Sequence, residues 1–128
     1  MKQITAIFGC FAAFLGVALG AFGAHALKSR LAEAGMTEVW QTAVDYQMWH
    51  ALALLICLPH VPHGKWTHAA AAFFSAGIML FCGSLYGLAL GGPSWLGPIT
   101  PIGGLSFMLG WLSLASAFIR GQTTSNAN

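Results

Sequence analysis

The chain has 128 residues, of which 57% are hydrophobic and only 6% charged, with a formal net charge of +2. Soluble domains carry about 25% charged residues, so the charge here is too sparse to coat a soluble globule, and the composition implies an integral membrane protein of one small domain. The weak net charge and the absence of any Lys/Arg run exclude the electrostatic footprint of a nucleic-acid binder.

The first apolar run extends from Ile4 to Ala24. Together with Lys2 and the tripeptide Ala24-His25-Ala26 it imitates a signal peptide. The run exceeds the roughly 7–15 residues of a signal-peptide core, and it reaches the roughly 20 that span a bilayer. A retained helix over about 4–24 is therefore expected. Next, Leu27, Leu31 and Ala34 share a face by helical spacing while Lys28, Arg30 and Glu33 fall elsewhere, which predicts a short interfacial helix.

The second span is impure. Its apolar part, Met48 to Leu58, is too short to cross about 30 Å of hydrocarbon. A helix over about 38–58, capped by Thr37, must recruit Asp45, Tyr46, Gln47 and His50 into or just beneath the membrane surface. Polar groups there are costly and mark a candidate site.

The five prolines fall in two clusters, Pro59/Pro62 and Pro93/Pro98/Pro101, which mark helix boundaries. They set off a third helix over about 68–90, with Thr67 as cap, and a fourth over about 101–119, with Thr100 as cap and Pro101 in its first turn. The expected fold is all-α: a polytopic single domain, 1–120, of four transmembrane helices in a tight bundle, followed by a polar, disordered tail, 121–128. Trp40, Trp66 and Trp95 sit at predicted helix ends, as an interfacial aromatic belt would. Lys2, Lys65 and Arg120 on one side outnumber Lys28 and Arg30 on the other, which favours cytoplasmic termini.

Small residues give the packing code. In lipid no hydrophobic force draws helices together, and small seams do so by letting backbones approach. Gly9, Gly16 and Gly20 form such a seam on the first helix, Gly83 and Gly87 on the third, and Gly103 and Gly110 on the fourth. Cys10, Cys57 and Cys82 all lie in apolar stretches and read as small buried hydrophobes.

At 100° per residue, Tyr46 and His50 share a face of the second helix, and Gln47, about 60° away, can join it. Asp45 points elsewhere, toward a surface ion pair with Lys28 or Arg30. Connectivity brings His25, Tyr46, Gln47, His50, Ser84, Tyr86 and Thr100 to one side of the bundle. Three readings are open. The cluster locks the helices of a scaffold or accessory protein, with membrane lipid, a second copy or another membrane protein as partner. Alternatively it binds or transports a small molecule, lipid or proton. The weakest reading is a haem or metal redox site using His25 and His50. No cofactor or metal is expected: His60, His63 and His68 lack a carboxylate or thiol companion, and no nucleophile–base pair or paired carboxylates support an enzyme.

Four segments in order carry a resemblance. They are Gly20-Ala21-Phe22-Gly23-Ala24-His25-Ala26-Leu27, Tyr46-Gln47-x-x-His50-Ala51-Leu52-Ala53, Gly83-Ser84-Leu85-Tyr86 and Thr100-Pro101-Ile102-Gly103-Gly104. The chain resembles the YgdD-like family of small inner-membrane proteins, a domain of unknown function related to eukaryotic transmembrane protein 256. One departure is Cys82, where the family often has Ser. The resemblance implies a four-helix protein of the bacterial inner membrane, and it implies no activity.

Overall fold

The computed structural model describes the backbone of residues 2–60 and 64–125 and the side chains of 3–55 and 64–120. The expectations for His63 and for 126–128 lie outside the described residues, as do those for the side chains of Lys2, Cys57 and His60. Among the described residues every regular element is helical: α1 (Lys2–Ala24), α2 (Lys28–Glu33), α3 (Thr37–His60), α4 (Lys65–Gly77), α5 (Gly83–Ala89) and α6 (Ile99–Ser125). A π-helical turn, Ile78–Cys82, joins α4 to α5 without a break in the rod, and a short 3-10 turn, Ser94–Leu96, precedes α6.

Three stretches are long and apolar enough to cross a membrane by length and composition: Gln3–Ala24, Lys65–Ala89 and Ser94–Arg120. The helices form two pairs, α1 against α3 and α4 against α6. The pairs join where α3 packs on the π turn and α5, and more lightly on α4. Thus α1 is peripheral, and Ile4, Ile7, Phe11, Phe14 and Val17 form its exposed outer face. Cys82 is buried as expected, but Cys10 is exposed on that outer face, because an all-apolar helix does not declare which side it buries.

Turn chemistry organises the α2 end of the bundle. Gly35 (φ 65) and Gly91 (φ 85) each follow a helix in the left-handed conformation that glycine adopts without a Cβ penalty. In both places the two paired hydrogen bonds of a Schellman closure form: Met36 N–H to Leu31 O (2.8 Å) with Gly35 N–H to Ala32 O (3.1 Å), and Gly92 N–H to Gly87 O (2.8 Å) with Gly91 N–H to Leu88 O (3.0 Å). Leu31 is thereby buried with Trp40, Val44 and Ala89.

Several expectations are corrected. Helices α4 and α6 begin at Lys65 and Ile99, so Thr67 and Thr100 lie within first turns rather than capping them. Helix α6 runs through the predicted tail to Ser125. No proline interrupts it after Pro101, and once nucleated a helix extends at little cost per residue. Trp40 belongs to the core, 3% exposed, instead of an interfacial belt. Gly83 faces open space, whereas the unpredicted Gly77 meets the Phe107 ring. The π turn between them inserts an extra residue into the 3.6 period, so a seam extrapolated through it lands on the wrong face.

Candidate functional site

His50 projects from the middle of α3 and is 4% exposed. Its Nε2 lies 3.1 Å from the Trp111 Nε1, and its Nδ1 lies 2.7 Å from the Tyr46 carbonyl oxygen. An indole N–H can only donate, so Nε2 must accept and the proton sits on Nδ1, donating to Tyr46. One neutral tautomer therefore satisfies both ring nitrogens. The imidazole stacks on Phe107, with ring centroids 3.6 Å apart and planes 11° apart. Phe74 (5.5 Å) and Tyr46 (6.0 Å) complete the surround.

The glycines explain how this aromatic packing is built. Phe107 of α6 lies against Gly77 of α4, and Phe74 of α4 lies against Gly110 of α6. A Cβ at either glycine would strike the opposing ring. Each helix thus offers a ring and a small residue three positions later, and the two pairs interlock. At Gly103 the approach is tighter still: a Cβ would meet the backbone of Phe81 itself, 2.7 Å from its Cα. Ser106 Oγ donates to the Phe73 carbonyl at 2.7 Å on the same interface.

The remaining expected site residues separate into distinct groups. Gln47 turns away from His50: its Nε2 donates to the Ala12 carbonyl of α1 at 2.8 Å, beside Gly16. The 60° offset that seemed to let it join His50 points it at the α1 interface instead. Ser84 and Thr100 share a hydroxyl–hydroxyl bond of 2.7 Å, joining α5 to the start of α6. Tyr86 packs edge-on against Trp40 at 4.8 Å, and its buried hydroxyl has no partner among the described residues. His25 is exposed in the turn after α1. Asp45 accepts from Gln41 Nε2 at 2.7 Å, while Arg30 Nη2 donates to Leu90 O at 2.8 Å. In place of the anticipated pairing of Asp45 with Lys28 or Arg30, Asp45 and Arg30 each take another partner, and the carbonyls ending α5 attract a cation at the helix's negative pole. Trp111, Phe107, Phe74 and Trp40 went unanticipated. The one available signal was the shared spacing of Phe74-x-x-Gly77 and Phe107-x-x-Gly110, which interlock only once α4 and α6 are known to be neighbours.

Beside His50, an open groove of about 590 Å³ runs between α3 and α6. Tyr46, Trp49 and His50 line it from α3, and Leu105, Met108 and Trp111 from α6. Trp49, Leu105 and Met108 are more than half exposed, so the groove opens on the outer face of the bundle. Among the described residues no group of His, Cys, Asp or Glu is placed to hold a metal ion.

An all-helical chain with three spans of membrane length and neutral, hydrogen-bonded polar groups among them defines a small integral membrane protein. The family model for "Protein of unknown function (DUF423)" matches residues 19–104. The UPF0382 membrane protein YwdK of Bacillus subtilis is 39% identical over 122 residues, 92% of this chain and 98% of that protein. The UPF0382 inner membrane protein YgdD of Escherichia coli K12 is 38% identical over 121 residues, covering 93% and 92%. A UPF0382 membrane protein of Staphylococcus haemolyticus is 44% identical over 115 residues, covering 88% and 92%. The chain belongs to this family of membrane proteins. No solved structure matches it.

Proposed function

We propose that the chain is a multi-pass scaffold or accessory protein of the inner membrane, with α3 as a fourth crossing, α2 lying at the membrane surface, and intramembrane polar groups that lock the bundle. The observation that carries this reading is the use of both His50 ring nitrogens within the protein. Gln47 and the Ser84–Thr100 pair follow the same pattern, each linking two elements. The 24-residue length of α3 allows about 36 Å, enough to span. The glycine contacts of α1 with α3, and of α4 with α6, supply close packing where lipid supplies no hydrophobic drive. Lys65 and Arg120, whose cationic groups flank the Trp66 ring at 5.5 and 5.4 Å, occupy the end that carries the termini and favour its cytoplasmic placement.

The test is His50→Ala. Removing the ring leaves a void and an unpaired Trp111 N–H, at a cost of about 2–4 kcal/mol. Detergent melting should fall accordingly, while native mass spectrometry shows the same bound species and oligomeric state as the parent. An unchanged melting point would contradict the lock. A second reading, binding of a small membrane-soluble molecule, is favoured by one observation, the groove beside His50.

A further inference from the structure

We infer that the groove between α3 and α6 binds a neutral, lipid-soluble ring bearing carbonyl oxygens, a ligand of the quinone class. This rests on the second reading above and names its ligand. Pockets for small molecules enclose about 300–1,000 Å³, lie between the helices of bundles and combine apolar walls with few polar groups. The groove, at about 590 Å³, fits that description.

Three features select the occupant. First, no Asp, Glu, Lys or Arg lines the groove, so a charged headgroup would find no counter-ion there. Second, flat rings make up more than half of its lining: Tyr46, Trp49, Phe81, Phe107 and Trp111, together with the His50 imidazole. Planar π surfaces stack well on one another. Third, two donors on its walls, the Tyr46 hydroxyl and the Trp49 indole N–H, take no hydrogen-bond partner among the described residues. In hydrocarbon no water can satisfy such groups, and an acceptor-bearing ligand would. His50 cannot serve, since both its nitrogens are already engaged. The ester carbonyls of a glycerolipid lie at the bilayer surface. Trp49 and His50 lie at the centre of the 24-residue α3, which as a crossing helix puts them near the midplane, where a ring on a flexible tail can reach. Binding alone is inferred, with no electron transfer.

Gly104 supplies a clean test, because it lines the groove yet has room for a side chain: a Cβ there meets only Phe81 ring atoms, at 3.7 and 3.8 Å. Decylubiquinone is titrated into the protein in phosphatidylcholine nanodiscs, with quenching of tryptophan fluorescence as readout. Saturable quenching is expected, weakened about tenfold or more by Gly104→Leu and severalfold by Tyr46→Phe. Oleyl alcohol, an uncharged chain without a ring or carbonyl, should fail to compete. Quenching that rises linearly and equally in the parent and Gly104→Leu overturns both the ligand and the groove's role as a binding site. Saturable displacement by oleyl alcohol at matched concentration overturns the quinone assignment but leaves the groove a binding site. Circular dichroism reports whether Gly104→Leu folds. If it does not, Leu105→Trp narrows the same groove from an exposed position and must give the same loss.

Discussion

The two helix pairs use glycine differently. Between α1 and α3, three glycines face flexible side chains: Gly9 meets Leu55, Gly16 meets Met48 and Gln47, and Gly20 meets Val44, while Gly23, at the α2 end, meets the Trp40 ring. The polar groups of α3 then reach through to backbone carbonyls of α1, Gln47 to Ala12 and Trp40 to Leu19. Between α4 and α6, glycines instead receive rigid aromatic rings, and where α6 crosses the π turn Gly103 receives the Phe81 backbone. A flexible neighbour can give way by a few tenths of an ångström. A ring held on the far side by His50, or a main chain, cannot. From Gly9 to Gly20 the first interface is therefore expected to tolerate change, and the second to be the rigid body that holds the site.

Substitutions separate the two. The largest effect is expected for Gly103→Leu, which drives a side chain into the Phe81 backbone. Overpacking of this kind costs about 3 kcal/mol or more, and loss of the folded species on size exclusion in mild detergent would show it. Gly20→Ala, against a single Val44 methyl at 3.3 Å, should cost under about 1 kcal/mol in the same melting assay. Equal costs at the two positions would erase the distinction. Gln47→Leu removes one interhelical bond to a carbonyl that retains its place in α1. Such bonds average about 0.6 kcal/mol and reach about 1.7, so a small fall in melting temperature is expected. Gly83→Ala has the opposite sign. Gly83 is helical and faces open space, so an alanine should stabilise by about 0.4–1 kcal/mol through the unfolded state. A destabilising result there would mean that the face beside the π turn is occupied.

The difference between the pairs also explains what could be read from sequence. Three of the spans, the prolines before α6 and the short α2 are local properties, written in runs of apolar residues and in turn formers, and they were legible. So was the shared face of Tyr46 and His50, because α3 is regular there. The π turn is not written in composition, and the displacement of Gly83 followed from it. Gln47 was misassigned because an angle of 60° on a helix does not say which neighbour lies on that side. Trp111 and Phe107, which complete the His50 surround, became visible only when α6 was placed against α4. Asp45 and Arg30 found partners by local geometry, a side chain one turn away and the last carbonyls of α5, in preference to opposite charge.

The central claim is that the buried polar contacts of α3 lock the bundle, and a double-mutant cycle between His50 and Trp111 tests it most directly. Trp111→Phe keeps a ring on α6 but removes the indole N–H that donates to His50. Stabilities of the parent, His50→Ala, Trp111→Phe and the double variant in one detergent give the coupling. A coupling of about 1 kcal/mol is predicted, within the range of intramembrane hydrogen bonds. Additivity within about 0.3 kcal/mol would contradict it and leave His50 a passenger in an aromatic core.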